Sequence, residues 1–585
     1  MKGRLVGGFA LVPALLLAWV MLRPLGGRLF LTHVLGPFGG ADAVMQSGIL
    51  EWTGRHFLRP DPWFNLPIFF PEPGALAFMD SLLGQALVLL PLRSVGWGTI
   101  AGLYNVAMLL SLLLAAAAFL LIWRTGGGAP LAAGFGALAL IGSPYALSQI
   151  GHLNQLPPPF ALVSLACLWS ALRPRRPGRT KVRAAWWLWG ATLGWQAGWG
   201  WYGFAFGGAA AAVLMLFGLG WYRRRGLVKN LIRPASGPFL LMLVMVLMLG
   251  RPYAEAAARH EDFQRTPVEV RAFSADLSHL LNRGAYRAEF GDWLGGGVSL
   301  AQRAEGRGRQ VLHPGWVALV LAIVGWTLRK HLDPQLRRQG WVVLAIGAVG
   351  LILAFGDSFA VPGLGRRWPL PFGIMQEVFP PLRALRAVWR FSFLAVLAIC
   401  WWAAAGFSIM TRLPRRGIAR ACLGVALMAL LFCESIPVRL PVVGISPLAA
   451  GAQVWAGMPA GAVLTLPAPA READEDATEA AWLHRALMHG RPVTGGVSGW
   501  VPPSTRSLRR ELAACERGEE DPGALFARLR GLGIASIEVA RAWDRERGGY
   551  WERALARWGQ APLAAGDYAV YRMGAAASPS GAWKQ

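Results

Sequence analysis

Paired cysteines are missing from this chain. Its five cysteines are Cys167, Cys400, Cys422 and Cys433, in or beside apolar runs, and Cys515, alone in a polar stretch. With no CxxC pair and no spaced framework, neither a zinc site nor a disulfide-stapled scaffold is indicated. Acids are scarce too, 32 against 58 basic residues. No internal repeat is visible and no ionisable residue falls in the middle of an apolar run, which argues against a transporter. The polar C-terminal stretch carries no GxGxxG phosphate fingerprint. The N-terminus, MKGR ahead of Leu5 to Leu22, has the charge order of a secretory leader but no small-residue cleavage site, so it reads as a retained first span.

What is present is hydrophobic. Of 585 residues 55% are hydrophobic and only 15% charged, with 28 Trp and 27 Phe. Apolar runs near the roughly 20 residues that cross a bilayer recur along the chain, as in a polytopic membrane protein. The net charge of +26 sits between those runs. The clusters Lys2/Arg4, Arg124, Arg173 to Arg183, Arg223 to Arg233, Arg329 to Arg338 and Arg412 to Arg420 hold 22 Lys or Arg and one acid, Asp333. Short basic loops stay in the cytoplasm during insertion, which accounts for the charge without a nucleic-acid partner.

Placing every cluster inside gives about eleven spans, N-terminus in and C-terminus out. They are expected near 5–25, 101–123, 130–150, 157–172, 184–200, 203–222, 235–251, 313–329, 339–356, 389–411 and 418–436. The stretch 78–96 is apolar enough to span, but counting it would turn the later basic loops outward, so it is expected as an interfacial or re-entrant helix pair. The expected architecture is mainly α: a transmembrane helical bundle over 1–436 with a large first external loop, 26–100, and a soluble extracytoplasmic α/β domain over 437–585. In that tail AGAVLTLPAP, IASIEVAR and DYAVYRM read as strands, and four stretches as helices, two of them with a serine or aspartate start that suits an N-cap.

The first loop opens on Asp42. In ADAVMQSGILEW the positions of Val44, Met45, Ile49, Leu50 and Trp52 suit an amphipathic helix in the interface, with Asp42 in its first turn, where a negative charge caps the helix or stands ready as a base. The proline-spaced aromatics Trp63, Phe64, Phe69 and Phe70 read as a headgroup-level belt or the wall of a groove. Topology puts other polar residues on the same side: Asp61 and Asp80 in this loop, His152 and Gln155 in one turn, Gln196 and Tyr202 at span ends, and Arg251, Glu255 and Arg259 where a span leaves the membrane. His152 either meets water at a helix end or transfers a proton or contacts phosphate. Arg251 either snorkels or makes a bidentate phosphate contact. The histidines His484 and His489 of the tail read as surface polar residues.

The loop from GADAVMQSGILEW to ALVLLPL, followed by LIWRTGGG, GHLNQLPPPF, GWGWYGF, RPYAEAAARHEDFQRTPVEV, HPGW and PLRALRAVWRF, resembles bacterial polytopic membrane proteins of the GT-C glycosyltransferase superfamily. It is most similar to YfhO-like and dolichyl-phosphate-mannose-mannosyltransferase-type members. The resemblance implies an active site on the outer face, a catalytic acid early in the first loop, and a polyprenyl-phosphate-linked sugar donor. It makes Asp42 the catalytic acid. The family's second acid has no counterpart beside it, since Ala41 and Ala43 flank Asp42; Asp80 or Asp61 would replace it, and a divalent metal, if used, would sit at Asp42 and Asp61. His152, Gln155, Gln196, Tyr202, Arg251, Glu255 and Arg259 become substrate-binding candidates. The implied activity is sugar transfer to a cell-envelope glycan, lipid or protein at the outer face of the bacterial cytoplasmic membrane. The alternative is a non-catalytic scaffold or transporter of the same architecture.

Overall fold

The computed structural model describes all residues except 1–9, 29–30, 37–39, 60–62, 97, 173–178, 224–228, 281–309, 361–366, 415, 438–439, 441, 446–451, 470–476, 558–560 and 574–585. The chain forms two compact units. One comprises Met1–Pro24, Met108–Arg251 and Ala257–Leu440; the other comprises Leu25–Ala107, Pro252–Ala256 and Pro441–Gln585.

The first unit is helical. A helix stands at each apolar run: Val12–Leu22, Ile100–Thr125, Pro130–Ile141, Pro159–Ala171, Arg179–Trp199, Trp201–Arg223, Lys229–Arg259, Trp316–Thr327, Pro334–Ala354, Phe393–Met410 and Gly417–Ser435. Among the described residues, 7 helices are long and apolar enough to cross a membrane, while Val12–Leu22 and Trp316–Thr327 are shorter apolar helices. Without a hydrophobic force between helices in lipid, small residues bring backbones together. Gly406 and Gly325 do so here, since a Cβ at Gly406 would lie 2.0 Å from the Leu321 carbonyl oxygen and one at Gly325 2.3 Å from that of Trp402. Accordingly 83% of the most apolar stretch within Val388–Met410 is buried, against 6% of the corresponding stretches within Ile232–Arg259 and Gly417–Ser435. Those two present Leu247, Met248, Ile418 and Val425 outward, faces that suit lipid tails and not water. The segments after Ala257 and around 355–392 pair through Ala275 N–H to Ala354 O (2.7 Å) and Trp389 N–H to Phe273 O (3.1 Å).

The second unit carries a four-stranded mixed sheet. Ala462–Leu466 runs parallel to Ile534–Ala540, which pairs antiparallel with Tyr568–Arg572, itself antiparallel to Leu563–Ala565. All three expected tail strands are there. Of the expected helices, the last divides at Gly548 and Gly549, both at positive φ, into Arg541–Glu546 and Tyr550–Arg557. Asp521 caps Pro522–Gly531 by accepting from Ala524 N–H at 3.0 Å, but the N-cap of Pro503–Glu516 is Pro502 and not a serine.

Residues of the first loop are built into this unit. Val493 N–H donates to Pro67 O (3.1 Å) and Phe70 N–H to Val493 O (3.0 Å), so the loop adds to the sheet beside Val463, which bridges Val493. Phe70 belongs to the core with Leu464, Leu512, Phe526 and Trp551. The proline-spaced aromatics therefore do not all form a headgroup belt: Phe69 and Phe70 are buried in protein. The stretch 78–96 breaks into the short helices Leu83–Val88 and Leu90–Ser94.

Candidate functional site

Asp42 is held by its backbone surroundings. The strand His33–Leu35 pairs antiparallel with Val442–Gly444. Asn105, 1% exposed, clamps it: its Nδ2 donates to His33 O (2.8 Å) and its Oδ1 accepts from Leu35 N–H (3.2 Å). The chain then enters the helix Ala41–His56 through Gly40 at φ 63. Only glycine fits there, because a Cβ would also lie 2.4 Å from Val443. Gly40 is thus the N-cap, and Asp42 is a half-buried first-turn charge, where the exposed N–H groups and helix dipole favour the carboxylate. The Asp42 carboxylate lies near enough to act electrostatically on the hydroxyl of Tyr104. Tyr104 is fully buried, and its hydroxyl has no hydrogen-bond partner among the described residues. A buried hydroxyl in that state is costly unless something is to meet it.

The helix is not the amphipathic surface element its sequence suggests. Eleven of its sixteen residues, Ala43 to Glu51 with Thr53 and Gly54, are buried, because the tail helix Ala477–His489 packs on it. A Cβ at Gly48 would lie 2.7 Å from the Leu483 side chain. His484 Nε2 lies 3.0 Å from both Val44 O and Ser47 Oγ. Ser47 donates its own hydrogen to Val44 O at 2.7 Å, and a carbonyl only accepts, so Nε2 carries the hydrogen and shares it. Burial pushes the His484 pKa down to about 4, against the opposing pull of the Val44 bond and the Glu51 charge. His484 is therefore a neutral brace two residues beyond the first turn's acid, and not the surface residue expected. Over-packing the contact with Gly48→Leu should destabilise this unit by about 1–3 kcal/mol, read as a lowered melting temperature; an unchanged melting temperature would show that the two helices part freely.

At the other end of the helix Glu51 accepts from Arg93 (2.6 and 3.2 Å) and Arg55 (2.7 Å). Burial opposes its charge, but the two guanidiniums hold its pKa below the usual carboxylate value. Thr53 Oγ1 donates to Ser81 O (2.7 Å) and the Tyr253 hydroxyl to Met79 O (3.0 Å). Half-buried Asp80 sits between those two anchored carbonyls, its backbone fixed on both sides. Glu255, also in this unit, is exposed. Asp61 lies outside the described residues. Among the described residues, which do not include Asp61, no three His, Cys, Asp or Glu groups converge to hold a metal ion.

The remaining candidates belong to the helical unit. Half-buried His152 precedes the turn of 3₁₀ helix Leu153–Gln155, and Gln155 is buried. Gln196, 0% exposed, accepts at Oε1 from Phe160 N–H (3.1 Å) and Ala161 N–H (3.0 Å). It caps the helix Pro159–Ala171, whose prolines leave few other caps. Arg251 and Arg259 are exposed near the end of Lys229–Arg259. Tyr202 accepts from Ala387 N–H at 2.8 Å, and the Arg390 guanidinium lies 5.1 Å over its ring. Tyr145 donates to Arg390 O at 3.1 Å. Among the described residues no carboxylate pairs with Arg390, and its Nε is buried without a partner. Sequence reasoning had not singled out Arg390. Its signal was there: Arg383, Arg386 and Arg390 are a basic group outside the clusters that set topology.

No family model matches the chain, and no curated protein matches it. Solved structures do. A mutant of the arabinofuranosyltransferase AftD from Mycobacteria superposes with a TM-score of 0.53 at 14% identity, over 92% of this chain and 37% of that one. ArnT from Cupriavidus metallidurans bound to undecaprenyl phosphate gives 0.43 at 15% identity, over 97% and 98% of the two chains. The oligosaccharyltransferase of Archaeoglobus fulgidus in the apo form gives 0.45 at 13%, over 94% and 71%. The chain spans little more than a third of the AftD chain. At 14% identity the likeness to AftD shows a shared polytopic helical fold.

Proposed function

We propose, from the fold shared with AftD, that the chain is a GT-C membrane glycosyltransferase. It moves a sugar from a polyprenyl-phosphate-linked donor to a cell-envelope glycan, lipid or protein on the outer face of the bacterial cytoplasmic membrane. The observation that carries the reading is Asp42, held in a helix first turn behind a side-chain-free cap, beside a buried tyrosine hydroxyl that lacks a partner. A phosphate already makes a good leaving group, so the protein has two tasks: deprotonate the acceptor hydroxyl and stabilise the departing phosphate. Asp42 takes the acceptor's proton as its oxygen attacks the anomeric carbon. The bond from that carbon to the phosphate oxygen breaks, and polyprenyl phosphate leaves. A single displacement of this kind inverts the sugar. Tyr104 would hydrogen-bond the acceptor, and Asp80 is the second carboxylate of the same unit.

Within the helical unit, Arg390 is the cation proposed to meet a phosphate, because its guanidinium is held over Tyr202 and no described carboxylate neutralises it. His152, Arg251 and Arg259 are the further candidates, with Gln155 and Glu255 polar neighbours and Gln196 a brace. The test is release of polyprenyl phosphate by the purified protein in lipid discs supplied with polyprenyl-phosphate-linked pentoses and hexoses. Arg390→Gln should raise the donor KM by about tenfold or more with a smaller change in kcat. An unchanged KM would remove Arg390 from the site. Release from no donor would overturn the enzyme reading in favour of a scaffold.

A further inference from the structure

The helical unit contains a cavity of about 730 Å³ at the end opposite to His152 and Tyr202. It lies where Pro159–Ala171 and Trp201–Arg223 end and Pro334–Ala354 begins, with Arg338 in its lining. That size is ordinary for a ligand site, about 300–1,000 Å³. Its walls are chiefly apolar, from Leu172, Leu214, Phe217 and Val342. Leu216 and Phe217 are 67% and 46% exposed, so the groove opens on the surface of a bundle whose flanks suit lipid.

Two polar features make it more than a greasy cleft. Arg338 lines the groove and is exposed. Trp169 also lines it, and its indole N–H is buried with no hydrogen-bond partner among the described residues. Beside them Trp341, another lining residue, is edged by Trp326, whose ring sits 4.5 Å from the Arg329 guanidinium; Arg329 lies 6.0 Å from the Trp341 ring. Apolar walls, a donor without an acceptor and an arginine in the lining match an apolar chain that ends in an anion.

We propose that this groove binds an anionic phospholipid, with an acyl chain against Leu214 and Phe217 and the phosphate at Arg338 and the Trp169 N–H. Basic pockets between membrane helices on the positively charged side take such headgroups, and one arginine near the headgroup is worth about fivefold in affinity. Neither the proposed sugar transfer nor its residues enter this assignment.

Native mass spectrometry of the full chain, purified from vesicles of equal phosphatidylglycerol and phosphatidylcholine, tests it. The wild type should retain one phosphatidylglycerol, favoured about fivefold or more over phosphatidylcholine. Arg338→Gln should bring that ratio near parity, and Leu214→Trp, which fills the groove, should lose the retained lipid. Should Leu214→Trp fail to fold, Arg338→Gln alone still decides. Retention without headgroup preference, an unchanged ratio in Arg338→Gln, or recovery of polyprenyl phosphate in place of phosphatidylglycerol overturns the proposal.

Discussion

Asp42→Asn should lower sugar transfer by about 10²- to 10⁴-fold, the range of a lost general base. The substitution keeps the shape of the side chain and removes its ability to take a proton. The first-turn charge is worth about 0.3–1 kcal/mol to the helix, whose N-cap is Gly40. Lipid donor should still bind. A loss of activity with near-native melting and donor binding is therefore the expected signature, visible as a fall in kcat at little-changed KM. Asp80→Asn is the control from the same unit. If it alone abolishes transfer while Asp42→Asn stays active, the base is Asp80 and the first-turn charge is structural.

Acidification should cost the loop and tail unit the stability that two buried histidines contribute. Burial pushes His484 down to about 4, and burial together with Arg485 and Arg491 pushes His489 down to about 3. In an unfolded chain both would titrate near their usual value of about 6.5. Between pH 6.5 and 4 the unfolded state therefore binds protons that the folded state refuses, so stability is lost as pH falls. The ceiling is about 1.4 kcal/mol per pH unit for each histidine, or about 2 kcal/mol each between pH 6.5 and 5. Glu479 and Glu538 act the other way, since burial raises both against the pull of Arg509 and Arg485, so the difference between variants is the informative quantity. His484→Gln should flatten the fall in melting temperature between pH 7 and 5 relative to wild type. Parallel curves would mean that folding leaves the His484 pKa at its ordinary value and that the buried brace on Val44 is not the one described.

Much of the helical unit was legible because an apolar run is a local signal: helices stand at the expected spans from 101–123 to 418–436, and 7 helices among the described residues are long and apolar enough to cross a membrane. The tail strands were legible for the same reason, with Ala462–Leu466 and Ile534–Ala540 buried along their whole lengths. What was not legible depends on partners far away in sequence. Phe70 reads as an interfacial aromatic until Leu464 and Trp551 surround it. His484 reads as a surface residue on an amphipathic helix until the helix Ala41–His56 covers it, and the low side-chain bulk of Gly48 that allows this gives no local signal. Asp42 itself was legible as a first-turn acid. The strand pair and Asn105 that hold it, and the partnerless Tyr104 hydroxyl beside it, arise only in the folded unit. The split of the last tail helix was within reach, because the Gly548–Gly549 pair is a breaker in any context.

The central claim is that this chain removes a sugar from a lipid phosphate and that Asp42 makes the acceptor reactive. It is tested most directly by following a radiolabelled sugar out of a polyprenyl-phosphate-linked donor in vesicles holding the purified protein. The account predicts that wild type transfers the label to a water-phase or envelope acceptor with matching release of polyprenyl phosphate, and that Asp42→Asn leaves the label in the lipid. Label that stays in the lipid with wild type for every donor, or leaves it equally fast with Asp42→Asn, contradicts the account.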